Sequence, residues 1–321
     1  MSLRTLPSSV SRARRIASGL ARPSSRPRYV SAAKHRLEDL RAGLSGRAAP
    51  GGCRACGSQR VSTREVSNPS FSAKQLKVVV CQRCGHVGLP ENTFDFKQVT
   101  ATTQVGISAR RTGTADVPGR EFKMASMATD ILRRDNLRVL VYGPGLSLDY
   151  LHIRKLPRVA RVTIGDLMRV QSDADFVDTS QRATRKFDIV VACEVIEHFE
   201  YPRAEFSRLL SYVAPNGLLV CSTNIYDGGN LSRHKYIHYR GHASYYSPAA
   251  LRSIARRNRV LLDFRLPHAA TGYAGPRKRY VLMSRSRIVM DAVADYFGSH
   301  MFGPSEAPNQ AAADHPGAAG K

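Results

Sequence analysis

Two cysteine pairs are the first residues in this sequence whose type and spacing could do chemistry: "CRAC" (Cys53, Cys56) and "CQRC" (Cys81, Cys84). A C-x-x-C unit puts two thiolates on one tight turn, and two such units complete a tetrahedral all-sulfur site for structural zinc. Gly57 and Gly85 follow the pairs directly and suit the turned backbone around a metal. A disulfide or a thioredoxin-like redox site is the competing reading, but neither needs two matched units. His86 follows a complete ligand set and reads as a bystander. A closed four-sulfur site has no open position for a substrate, so no reaction is expected at the metal. The other two cysteines, Cys193 and Cys221, fall in apolar runs, where a free thiol behaves as a small buried hydrophobe.

The second chemical feature is "VLVYGPGLS", Val139 to Ser147, an apolar run that enters a glycine turn. Glycine there lets the backbone approach a ligand and opens a helix whose first amides face it. Gly143 and Gly145 are present, but Leu148 stands where a dinucleotide-binding fingerprint wants a third glycine. Asp166 ends the next apolar run, 23 residues beyond Gly143, where a carboxylate can accept the ribose hydroxyls of a nucleoside cofactor.

The stretch "FDIVVACEVIEHFEYPRAEFSRLLSYVAPNGLLVCST" resembles class I S-adenosylmethionine-dependent methyltransferases, and the resemblance extends over roughly residues 120–285. It implies a Rossmann-like α/β sheet with helices on both faces. It also implies that Tyr142, Gly143 and Gly145 line the methionine end of S-adenosylmethionine, and that Asp166 holds the ribose. Asp175 and Phe176 would contact adenine, while Cys193 and Glu194 would lie beside the cofactor with the run to His198 facing the acceptor. A nicotinamide dehydrogenase is the rival for such a turn, but the third glycine is absent and "EVIEH" is no part of that pattern.

A further run, "YRGHASYYSPAAL", resembles the H-x-x-[YF]-[YF]-S element of small-molecule and glycan methyltransferases. A zinc ribbon ahead of such a domain resembles the sugar C-methyltransferases, in which a glutamate precedes the histidine; here that residue is Gly241. A hydroxyl acceptor benefits from a positioned base, and a histidine with an ordinary pKa near 6.5 suits the task. His198 and His242 are the candidates, with Tyr245 as helper. Glu194 and Glu197 read as residues favoured at a helix start. The expected acceptor is a small molecule or a glycan.

These residues need a scaffold, and the pattern of the chain supplies one. Strands are expected at "LRVLVY", "RVTIG" ending on Asp166, "ADFV", "FDIVVAC", "LLVCST", "VLLDF" and "RYVLMS". Helices are expected at 122–134, 147–156, 202–214, 248–258 and 287–297. Strands alternating with helices argue for a mainly parallel sheet covered on both faces. The expected division is a disordered basic tail at 1–50 with a short helix near Ala32 to Leu44, a zinc ribbon at 51–92, and a connector at 93–120. The methyltransferase domain would then occupy 121–298, with a disordered tail at 299–321.

Among 321 residues the formal net charge is +24, which raises RNA as a partner. Of the 49 basic residues 39 are arginine, and +9 of the charge falls in the first 52 residues. A zinc-ribbon RNA-binding protein or RNA methyltransferase is therefore the alternative reading. The sequence lacks both the N-P-P-[YF] motif of adenine methylation and a Pro-Cys nucleophile. No apolar run approaches the roughly 18 residues of a membrane span. A cytoplasmic location is expected, although the Arg/Ser-rich start also resembles an organelle transit peptide.

Overall fold

A computed structural model describes residues 51–69, 72–94, 96, 112–267 and 277–298. The expected basic tail with its short helix, most of the connector and the tail after residue 298 lie outside these residues.

The larger of two sheets has seven strands. In chain order they are β4 (Leu137–Tyr142), β5 (Val159–Asp166), β6 (Asp175–Asp178), β7 (Phe187–Cys193), β8 (Val213–Asn224), β10 (Leu261–Arg265) and β11 (Lys278–Ser284). They lie side by side as β10-β11-β8-β7-β4-β5-β6, and β11 alone runs against both of its neighbours. The apolar runs in β4 and β7 are nearly continuous because both faces of a central parallel strand are covered. Val139 and Val141 point into one apolar layer and Leu140 and Tyr142 into the other.

Helices α1 (Arg120–Leu132), α2 (Asp149–Ile153), α3 (Pro202–Ser211), α4 (Pro248–Arg257) and α5 (Arg287–Tyr296) connect the strands. The α1 and α5 side chains Met124, Met127 and Met290 join the layer of Val139 and Val141. The α3 and α4 side chains Phe206, Leu209, Leu251 and Ile254 join the opposite layer. Ser247 caps α4 by accepting from Ala250 N at 3.1 Å, with Pro248 at the first helical position, as the sequence suggests. Two expected helices are shorter than their sequence pattern. The helix at 147–156 keeps only Asp149–Ile153, and the one at 202–214 stops at Ser211 because β8 begins at Val213. There Val213 pairs with Phe187 through an irregular register, so sheet pairing takes backbone that helical periodicity alone would claim.

The smaller sheet is built from β1 (Val61–Asn68), β2 (Ser72–Cys81), β3 (Val87–Gly88) and β9 (Ser244–Tyr245), in that order. The first three strands are the cysteine-bearing segment expected near 51–92. The fourth belongs to the loop that carries "HASYYS", so the segment is joined to the larger domain by strand pairing. Cys53, Cys81 and Cys84 also pack into the layer that holds Phe206 and Leu251. No helix among the described residues is long and apolar enough to cross a membrane.

Candidate active site

The chain leaves the sheet centre at β4 toward β5 and β6, then returns to the other side of β4 as β7. The connections after β4 and β7 therefore diverge, and they open a crevice at the carboxyl ends of the strands. Gly143 and Glu194 flank it. Gly143 has φ +66°, and a side chain there would bring its Cβ within 2.9 Å of Val195 Cγ2. Only glycine lets the turn pass so close to the segment after β7.

The turn is held from the β5 side. Asp166 Oδ2 accepts from Gly145 N at 3.1 Å and its Oδ1 from Leu167 N at 2.7 Å. Gln171 Nε2 donates to the Gly145 carbonyl at 2.8 Å. Burial raises the Asp166 pKa, and the two backbone N–H groups oppose that rise.

Past β7 the buried groups are charged. Glu194 has φ +56°, an uncommon conformation for a residue with a side chain. Its carboxylate pairs with Lys278 and accepts from Ser222 Oγ at 2.6 Å. Burial works to raise the Glu194 pKa, yet Lys278, Ser222 and Arg120 together hold it below the usual value. Glu197 is fully buried. Its Oε1 accepts from Tyr236 Oη at 2.6 Å, and its Oε2 has no partner among the described residues. Burial, then the Glu194 charge, push the Glu197 pKa up to about 7.

His198 presents Nδ1 to the Gly241 carbonyl at 2.9 Å. A carbonyl only accepts, so Nδ1 carries the hydrogen and Nε2 is the basic nitrogen of the neutral ring. The His242 ring lies 5.0 Å from it, centroid to centroid, and 4.3 Å from the Tyr236 ring. Burial lowers the pKa of both histidines, and His198 adds to the effect on His242, which falls well below 6.5. Both rings are neutral at pH 7. Gly241, where the resembling sugar enzymes have glutamate, has φ +85°, and a Cβ there would meet Phe96 Cζ at 2.9 Å. A side chain at that position would displace the aromatic contact against His198.

The structure brings Gly143, Gly145, Asp166, Cys193, Glu194, His198 and His242 to the carboxyl ends of the strands or the loop above them. It places four other expected residues differently. The Tyr142 side chain is buried in the core, with its ring 6.0 Å from that of Tyr212. The Asp175 carboxylate is occupied by Arg185, at 2.9 and 3.2 Å, and by Thr163 Oγ1 at 2.7 Å. Phe176 packs with Tyr150 and Ile164. Tyr245 is 1% exposed, and its hydroxyl ends on His234 Nδ1 at 3.1 Å and the Ile225 carbonyl at 3.2 Å. Tyr236, six residues before the "HASYYS" run, is the tyrosine against His242. On β6 it is Asp178, not Asp175, that pairs in register with Asp166. Carrying the strand one residue past "ADFV" would have included Asp178, but not its partner on β5. Cys193 is buried, and burial raises its thiol pKa well above the usual value, so it is no activated nucleophile. His86 turns to Ser244 Oγ at 3.2 Å.

Beside the glycine turn, Glu121 and Asp149 are both buried. Ser147 Oγ donates to Glu121 Oε2 at 3.3 Å, and Asp149 Oδ1 accepts from Gly119 N at 2.6 Å. Burial, then the hydrogen bond and charge of Asp149, push the Glu121 pKa up from 4.5 to about 8. The folded state therefore keeps this proton while the unfolded chain loses it, so the group's contribution falls as pH rises from 4.5 through 8. Glu121→Gln is expected to flatten that loss and to be more stable than the parent at pH 8.5, by about 1–3 kcal/mol. Urea denaturation of both proteins at pH 5 and 8.5 measures it; equal pH dependence would show that Glu121 holds no proton.

Residues 113–258 match a family described as a methyltransferase domain. No curated protein matches the chain. Among solved structures, the plantazolicin methyltransferase BpumL in complex with S-adenosylhomocysteine is similar at 14% identity and a TM-score of 0.40, over 52% of this chain and 82% of that one. The Burkholderia thailandensis 1,6-didemethyltoxoflavin-N1-methyltransferase, with bound 1,6-didemethyltoxoflavin and S-adenosylhomocysteine, is similar at 18% identity and a TM-score of 0.36, over 51% and 76%. The family match takes in the glycine turn, Asp166 and the segment after β7 as one unit, so residues 113–258 form a methyltransferase domain and the protein is an enzyme.

Proposed function

We propose that the protein methylates a hydroxyl-bearing small molecule or glycan, with His198 Nε2 taking the acceptor's proton. The observation that carries this reading is the Nδ1 contact of His198 with the Gly241 carbonyl, which leaves Nε2 as the base. The His242 ring stands beside that of His198, and aromatic rings of this kind suit a sugar or ring-bearing acceptor. Bound S-adenosylmethionine supplies a methyl group on a cationic sulfur. The residues present fit this cofactor. Gly143 lets the turn pass against Val195 at the carboxyl ends of β4 and β7, and Asp166, at the end of the neighbouring strand, would hold the ribose. Arg120 Nε, buried and without a partner among the described residues, is electrostatically coupled to Glu194 and suits the methionine carboxylate.

The same reading assigns structural zinc to the four cysteines. Their sulfurs all lie within 4.8 Å of one another, with Cys53 to Cys84 at 3.7 Å and Cys56 to Cys81 at 3.6 Å. Bonds of about 2.3 Å to a tetrahedral zinc would set the sulfurs about 3.8 Å apart. Residues 51–92 then serve the domain at 121–298 as a metal-held support, in a protein we place in the cytoplasm.

Labelled S-adenosylmethionine offered with separate metabolite, glycan and RNA fractions should label a metabolite or glycan; label confined to RNA would overturn the acceptor class. With that acceptor, His198→Gln should lower turnover by about 10²–10⁴ while cofactor affinity holds. Parent activity should also fall as the pH drops through the histidine's pKa, below 6.5, because the protonated ring cannot act as base, and the variant should lack that limb. Asp166→Ala should weaken S-adenosylmethionine binding by about tenfold or more in calorimetry, and unchanged affinity would remove Asp166 from the cofactor site. The purified chain should hold about one zinc per molecule by elemental analysis. Cys81→Ser should lose most of it, and a metal-free parent that melts at the same temperature would count against the assignment.

A further inference from the structure

The segment that leaves the cysteine-bearing sheet passes directly under the loop that carries His242. Leu89 N donates to the Ala243 carbonyl at 2.9 Å, and Ala243 N donates to the Glu197 carbonyl at 2.9 Å. Three residues further, Asn92 is 7% exposed, and its Nδ2 lies 3.2, 2.8 and 3.0 Å from the carbonyl oxygens of Ile237, Tyr239 and His242. An amide nitrogen has two hydrogens, so these three acceptors use its full capacity. The reversed amide would set an oxygen against three carbonyls, which fixes the orientation.

Those carbonyls bracket the turn at Arg240 and Gly241, and the Gly241 carbonyl is the group that meets His198 Nδ1. The turn's conformation, with φ +85° at Gly241, is available without strain only to glycine. Its carbonyl direction is thus set by what holds the backbone on either side, and Asn92 holds both sides. We infer that Asn92 is a positioning residue for methyl transfer: it aims the Gly241 carbonyl at His198 Nδ1 and thereby keeps Nε2 as the basic nitrogen. The inference rests on His198 as the base. It gives the cysteine-bearing segment a part in the reaction although no cysteine touches a substrate.

The test uses the full chain with ¹⁵N-labelled histidine, S-adenosylmethionine as the only added ligand, and the variants Asn92→Ala and Asn92→Asp. Ring ¹⁵N shifts, assigned with His198→Gln, should show the Nδ1–H tautomer for His198 in the parent and a mixture in both variants. S-adenosylmethionine affinity should stay within about threefold of the parent. Once an acceptor is in hand, each Asn92 variant should lose roughly tenfold or more in turnover, and adding His198→Gln should cost less than the two single losses combined. An unchanged His198 tautomer, fully additive losses, or failure of both variants to fold would overturn the inference. If His198→Gln leaves turnover intact while the tautomer still shifts, the base assignment fails and the positioning by Asn92 stands.

Discussion

The parallel pairing of β4 with β7 is the constraint on which the site depends. Val139, Leu140 and Val141 lie against Ile189, Val190 and Val191, although nearly fifty residues separate the partners in sequence. This pairing places the end of the glycine turn beside the end of "VVAC" and forces the two following connections apart. Every candidate group on the β4 and β7 side inherits its position from that register. A slip of one residue would exchange the two faces of each strand and move Val139 and Leu140 into each other's layers. The six apolar residues at the centre therefore set the crevice as firmly as any polar residue that lines it.

Onto this edge the chain gathers charges that water would otherwise solvate. Glu194, Glu197, Lys278 and Arg120 share a small buried region, together with the neutral rings of His198 and His242. Glu194 is stabilised as an anion by Lys278, while the neighbouring Glu197, facing that anion, is raised toward neutrality. Two acids three residues apart thus shift in opposite directions: burial and the Glu194 charge outweigh Lys278 at Glu197, whereas Lys278, Ser222 and Arg120 outweigh burial at Glu194. Burial pushes the Tyr236 pKa well above its usual value, so the phenol stays a donor to Glu197 and fixes that carboxylate. Beside the histidine rings, the one close ion pair of this group among the described residues is that of Glu194 with Lys278.

The cysteine-bearing segment belongs to the same structure. Its sheet ends on β9, the Cys84 carbonyl accepts from the Ser247 hydroxyl, and His86 meets Ser244. Arg54 pairs with Glu200 and stacks on Tyr201, at the entry to α3. These contacts fall on the loop above the crevice and on the segment after His198, which are the two parts of the site that the large sheet does not itself brace. A support is needed there because a loop of this length gains little order from its own local contacts.

What the sequence determined was local. The four cysteines announce themselves through spacing, and strands such as "LRVLVY" and "FDIVVAC" match their residues because a continuous apolar run has few other uses. The Gly143 turn and Asp166 could be read because each ends such a run. Only tertiary structure decided that Asp178 rather than Asp175 stands beside Asp166, since that follows from the register of β6 on β5. It likewise turned Tyr245 inward and brought Tyr236 to His242, because β9 pairs with a strand more than 150 residues earlier in the chain. Asn92 carries no motif at all. Its role arises where two segments far apart in sequence meet, and hydrogen bonds between such segments have no period or spacing that a single sequence could display.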